Sequence, residues 1–136
     1  VKTLKRILSL GLLALFGGLI FGSCNPGSDV IDEQGLLITQ RSQCFMTFFD
    51  VLGSDHRTVL VSGSTVIDTV NLTVNAVARY GTNMKRVKPY SSLVTDATVE
   101  PKMGVWTDFS GPMQYTVVSG NRQVRKTYTI NVTVQP

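Results

Sequence analysis

Val124-Arg125-Lys126-Thr127-Tyr128-Thr129-Ile130-Asn131-Val132-Thr133-Val134 alternates apolar and polar side chains almost without a break. Successive side chains of a strand point to opposite faces, so Val124, Tyr128, Ile130, Val132 and Val134 share one face. Arg125, Thr127, Thr129, Asn131 and Thr133 share the other. The run is rich in β-branched residues and reads as a half-buried strand. Lys126 is the misfit on the apolar face, where its stem can lie along a ring and leave its charge in water.

Working outward, Gly120-Asn121 reads as a two-residue hairpin turn. With those residues at the tip, Val117 pairs with Val124, Tyr115 with Lys126 and Met113 with Tyr128. Met113, Tyr115 and Val117 then fall on the apolar face of the neighbouring strand. A slip of one residue would reverse every side chain. Val70 to Tyr80 repeats the alternation, with Val70, Leu72, Val74, Ala76, Ala78 and Tyr80 on one face. Further strands are expected at Cys44–Leu52, Thr58–Ser62, Thr65–Asp68 and Ala97–Glu100. Gly53-Ser54-Asp55, Ser62-Gly63-Ser64 and Pro101 to Gly104 punctuate them. After the N-terminal segment nothing carries a helical stripe beyond one turn at Asn83 to Val87. About seven short strands with frequent turns predict an all-β sandwich over residues 36–136.

The N-terminus carries an address. Lys2, Lys5 and Arg6 precede an uncharged apolar run, Ile7 to Phe21, which ends in Gly22-Ser23-Cys24. A basic start, a short apolar run and small residues before a cleavage point make a secretory signal over residues 1–23. The run falls short of the 20 or so apolar residues a membrane span needs. Its end resembles a bacterial lipobox, which implies lipidation of Cys24. Residues 24–35, with Pro26, Gly27 and Ser28, read as a flexible tether, whose stretch from Asn25 to Gln34 reaches about 35 Å when fully extended.

Charge and cysteine content narrow the function. The net charge is +4, but three of the thirteen basic residues lie in the signal. Ten then remain against nine acidic residues, which gives no basic face for nucleic acid. Cys44 sits in an apolar run and reads as a small buried hydrophobe without a disulfide partner. His56 is the single histidine, next to Asp55 in a loop. A catalytic triad needs an acid that orients the imidazole from across the site. One histidine and one available cysteine make no metal cluster. The chain is therefore read as non-enzymatic, with no cofactor.

Three features point to contacts. Arg79, Lys85, Arg86 and Lys88 form a basic cluster near a loop, suited to an acidic glycan or lipid phosphate, or simply a solvated edge. Trp106 lies in a loop, where it either stacks on a sugar or caps the core. Asp68-Thr69-Val70 matches a short acceptor pattern for O-glycosylation at Thr69.

Several stretches then follow in order: Asn71-Leu72-Thr73-Val74, Tyr80-Gly81-Thr82, Ala97-Thr98-Val99-Glu100-Pro101, Asp108 to Val117 and Lys126 to Val134. Together they resemble an immunoglobulin-like domain of unknown function found in Bacteroides-type lipoproteins, over roughly Val66 to Gln135. The resemblance implies an immunoglobulin-like sandwich and supplies no catalytic or binding residues. Pro112 suits the position just before a strand, where no ladder donor is needed, and Phe109 is placed to plug one end of the sandwich. The expectation is a lipid-anchored binding or scaffolding module at the outer membrane, on its cell-surface or periplasmic face, for a glycan or a partner protein. The alternative is a structural or adhesin subunit, such as a fimbrial accessory protein.

Overall fold

The computed structural model describes residues 30–136. The expected signal, Cys24 and the first part of the tether lie outside the described residues. Seven strands follow: β1 (Met46–Leu52), β2 (Val66–Asp68), β3 (Thr73–Ala78), β4 (Lys88–Leu93), β5 (Thr98–Glu100), β6 (Met113–Val118) and β7 (Arg125–Val134). They form a two-stranded sheet, β1-β4, and a five-stranded sheet, β2-β3-β7-β6-β5. The architecture is the expected all-β sandwich of seven strands.

The β7 alternation works as its sequence predicts. Tyr128 and Ile130 are fully buried and Val132 nearly so, while Arg125 and Thr127 face water. Val134, past the core, is exposed. Between the sheets, Phe109 stacks on Tyr115 with ring centroids 6.3 Å apart, and Phe49 meets Phe109 at the same distance. Such pairs add to the burial of large apolar surface. The Tyr128 hydroxyl accepts the Met46 N–H at 3.3 Å, and the Tyr115 hydroxyl bonds the Thr107 side chain. Each buried phenol thus keeps the polar partner that burial demands. Phe109 is the expected end plug. Cys44, also buried, donates its thiol to the Val117 carbonyl.

The hairpin register differs from the expected one by two residues. Met113 pairs with Ile130, Tyr115 with Tyr128 and Val117 with Lys126. A shift of two preserves the faces, so the core assignment survives while the partners change. The cause is the loop. Gly120-Asn121 is not a two-residue tip, because its backbone is engaged by another segment: Thr39 N–H donates to the Gly120 carbonyl, and Asn121 N–H to the Arg41 carbonyl. A turn closed by Arg122 N–H on the Ser119 carbonyl widens the loop, and Arg122 takes a left-handed φ of 61°. Ser119 N–H then pairs with the Val124 carbonyl.

Four other expectations are corrected. Val70 (87% exposed) and Tyr80 (79%) lie off the β3 face, because β3 begins only at Thr73. The preceding turn is held by Asp68, whose Oδ1 accepts the Val70 and Asn71 N–H groups, and Leu72 has a φ of 56°. Thr58–Ser62 is no strand but makes isolated bridges from Thr58 to Leu52 and from Leu60 to Ala78. It joins the two sheets at one corner. β4 falls where no strand was expected, since Lys-Pro-Tyr-Ser-Ser-Leu lacks the β-branched signal and its inward residue is Pro89. The described part of the expected tether is a folded hairpin rather than coil. Asp32 N–H bonds the Leu36 carbonyl, Ile38 N–H bonds the Val30 carbonyl, and Asp32 pairs with Arg122.

These connections give the sandwich two poles. The N-terminal hairpin, the Ser119–Arg122 turn and Asp96 meet at one. The Gly53–Arg57 loop, the residues after β3 and β7, and Gly104–Pro112 gather at the other, about 33 Å away along the ten residues of β7.

Candidate functional site

Trp106 sits at the pole opposite the N-terminal hairpin. Its position is set by a bridge in which Val87 and Thr107 exchange both backbone hydrogen bonds, at 3.1 and 2.8 Å. Val87 points into the core and is fully buried. Its neighbours Arg86 and Lys88 must therefore point outward. The residue before Thr107 falls opposite the residue after Val87, so Trp106 faces Lys88 across the ladder. Lys88 Nζ lies 4.6 Å from the Trp106 ring centroid and Arg86 Cζ 4.8 Å. Both contacts are within cation–π range. The indole is 38% exposed, so it is neither a buried cap nor a free side chain.

His56 completes the cluster. Its ring centroid is 5.8 Å from that of Trp106. The Gly53–Arg57 turn delivers it, closed by Gly53 N–H on the Arg57 carbonyl and His56 N–H on the Gly53 carbonyl, with His56 itself at a φ of 57°. Between this loop and the segment after β3 lies a groove of about 460 Å³, lined by Asp55, Gly81, Asn83 and Arg86 among others. His56 thus faces an indole rather than a carboxylate. Its place beside Trp106 depends on a left-handed turn residue with no pattern in the sequence.

The four basic residues do not form one cluster. Arg86 and Lys88 join Trp106. Lys85 lines a separate depression of about 580 Å³ with Phe109 and Pro112, and lies near Asp108. Arg79 lines another, of about 200 Å³, with Phe48, Asp50 and Thr58. Sequence proximity grouped them, and the change of direction between β3 and β4 separates them. Asp108 is held below the usual carboxylate range by the Ser110 hydroxyl and N–H. Thr69 is exposed in the β2–β3 turn, next to the Asp68 carboxylate. Hydrogen bonds from Asn71 backbone and side chain, then from Val70 N–H, keep the Asp68 pKa low. Cys24 lies outside the described residues.

The sequence reading missed two exposed rings. Phe48 on β1 and Tyr90 on β4 meet edge to face on the outer surface of the two-stranded sheet, with centroids 6.1 Å apart. They are 48% and 51% exposed.

The described residues thus form an all-β sandwich with an aromatic and cationic cluster at one pole. Residues 57–132, more than half of the chain, match the family model described as SGBP, N-terminal, and the chain belongs to that family. No curated protein matches it. Two solved structures are similar. One, described as a "putative glycoside hydrolase" from Bacteroides thetaiotaomicron, is 28% identical with a TM-score of 0.47, over 64% of this chain and 25% of that one. The other, a DUF4623 family protein from Bacteroides eggerthii, is 14% identical with a TM-score of 0.54, over 69% of this chain and 22% of that one. The second supports the fold alone. The chain spans about a quarter of the length of these solved chains.

Proposed function

We propose that this chain is a lipid-anchored, immunoglobulin-like module of the outer membrane that contacts glycan without catalysis. One observation carries the reading: Trp106 is partly exposed at the pole away from the N-terminal hairpin, with Arg86 and Lys88 both within 5 Å of its ring centroid. An indole offers a flat apolar face to sugar C–H groups. The two cations beside it would hold a sugar carboxylate or sulfate. With Cys24 in the membrane, a site at the far pole points away from the lipid. Membership of a binding-protein family supports the non-enzymatic reading. No nucleic-acid partner is proposed. Thr69, exposed in its turn, is the position where a surface glycan would be attached.

The test has two arms. Cys24→Ala should release the protein from membranes and abolish palmitate labelling. A polysaccharide panel read by titration calorimetry should show binding that is lost in Trp106→Ala and reduced in the Arg86→Ala/Lys88→Ala double variant. Binding to no glycan, or binding indifferent to Trp106, would remove the site.

A scaffolding role is favoured by a separate observation. The N-terminal hairpin and the end of β7 lie at opposite poles, so the sandwich separates whatever precedes it from whatever follows by about 33 Å. In that reading the module sets height above the membrane, and shortening the sandwich would matter more than any surface side chain.

A further inference from the structure

We infer that Trp106, Tyr90 and Phe48 form a single row of subsites for an extended acidic polysaccharide, running across the outer face of the two-stranded sheet. The inference rests on the glycan-binding reading of Trp106 and extends it along the sheet.

The row follows from register. Trp106 lies opposite Lys88 through the Val87–Thr107 bridge. Tyr90 is two residues further along β4, on the same face as Lys88. Trp106 and Tyr90 are therefore diagonal neighbours, about 7–8 Å apart. Phe48 pairs with Ser92, again two residues beyond Tyr90. Phe48 and Tyr90 are thus diagonal neighbours in the same sense, and their rings meet at 6.1 Å. Each step crosses one strand and advances two residues, so the three rings lie on one line from the Trp106 pole toward the N-terminal hairpin.

Phe48 is turned outward by a defect in the ladder. Met46 pairs with Leu93 and Phe48 with Ser92, so β1 bulges between them. In a regular strand Met46 and Phe48 would share a face. Here Met46 is buried at 1% exposure while Phe48 is 48% exposed. A bulge re-aims a side chain in this way. Had β1 stayed regular, Met46 and Phe48 would have shared one face and Phe49 and Val51 the other. The bulge lets Met46, Phe49 and Val51 all enter the core and leaves Phe48 outside.

The charges along the row select its ligand. Lys88 lies against Trp106 two residues before Tyr90, Arg86 flanks Trp106, and Arg79 lines one depression with Phe48. Asp50, opposite Tyr90, is an acid on this face whose Oδ1 accepts from Val51 N–H and the Thr58 hydroxyl, and Asp108, opposite Arg86 through the Val87–Thr107 bridge, accepts from Ser110 N–H. Rings alternating with cations suit a chain that presents sugar faces and anionic groups in turn.

Titration calorimetry of the full chain in detergent, with oligogalacturonides of two to eight units, tests the row. Affinity should rise with length. Trp106→Ala should weaken every length, whereas Tyr90→Ala and Phe48→Ala should each weaken the longest oligomers by about tenfold or more and leave the dimer unchanged. Both rings are exposed, so neither substitution should lower the thermal midpoint appreciably. If Tyr90→Ala and Phe48→Ala bind every length like the unmodified protein while Trp106→Ala does not, the row is wrong and the single Trp106 site stands. Binding of a neutral glucan as tight as that of the uronide overturns the acidic class. Failure of both the oligogalacturonides and a sulfated galactan to bind overturns the row together with the reading beneath it.

Discussion

Arg122 closes on Asp32 with two donors, Nη2 at 2.8 Å and Nε at 3.1 Å from the same Oδ2. Its Nη1 donates to the Ser119 carbonyl at 3.0 Å, so the guanidinium ties the N-terminal hairpin to the β6–β7 loop. The carboxylate's other oxygen accepts the Leu36 and Gln34 N–H groups. Hydrogen bonding to the charged form lowers a pKa. The Leu36 bond, with Arg122 also contributing, holds Asp32 below its ordinary 3.8.

The sign of the pH dependence follows. A depressed carboxyl pKa contributes stability that is present above pH 3.8 and lost as pH falls through the lower folded value. Acid should therefore undock the hairpin at a pH below 3.8 in the native protein. Nuclear magnetic resonance of the Leu36 and Gln34 amides would follow the titration. Asp32→Asn should abolish the step, and Arg122→Ala should move its midpoint upward. Identical acid profiles in all three proteins would mean that the pair does not hold the hairpin.

Gly120 makes this junction close. A Cβ there would overlap the Thr39 hydroxyl and stand 2.8 Å from the Asp96 Cβ. Gly120→Ala should cost about 1–3 kcal/mol, as overpacking usually does. Gly111, with ordinary φ and nothing within 4 Å of a built Cβ, provides the control. Gly111→Ala should change the denaturation midpoint little or raise it. Equal midpoints for the two variants would show that the loop moves aside freely.

The two faces of β7 give a third test. Ile130 is fully buried opposite Met113, whereas Thr127 is exposed and shares a hydrogen bond with Thr116. Ile130→Ala should cost about 2–5 kcal/mol. Thr127→Ala should cost about 1 kcal/mol, the worth of one exposed hydroxyl pair. Urea denaturation of both variants decides, and comparable losses would contradict the face assignment.

The sequence carried the sandwich because burial is written in the period of β7, which gives the face of each residue without knowledge of its partner. Pairing was less legible. Whether Gly120 tips a two-residue turn depends on Thr39 and Arg41, some eighty residues away. β4 escaped because Lys88-Pro89-Tyr90-Ser91-Ser92-Leu93 earns its place from β1 rather than from its own propensity. The site was half legible. Trp106, Arg86 and Lys88 could be named individually, but their meeting follows from the Val87–Thr107 bridge. Phe48 looked like part of a core run, and the bulge in β1 is what puts it on the face opposite Met46. Arg79 and Lys85 were grouped by nearness in the chain, which the turn from β3 into β4 undoes.

Cys44 offers a probe of the whole fold. Its thiol is 2% exposed and donates to the Val117 carbonyl at 3.0 Å. Burial pushes its pKa above the ordinary 9.0, against a smaller opposing pull from Lys126. Reaction with a disulfide reagent needs both access and thiolate, and the native protein withholds both. Labelling should therefore proceed only through opening of the domain, at a rate set by the population of the open form. That gives a quantitative link to Ile130. If Ile130→Ala lowers stability by at least about 2 kcal/mol, labelling of Cys44 should quicken at least about thirtyfold under conditions where the domain recloses quickly. Thr127→Ala should quicken it far less. A labelling rate that ignores Ile130→Ala would mean that Cys44 is reached by local fraying ahead of β1, and that the segment carrying it opens independently of the sandwich core.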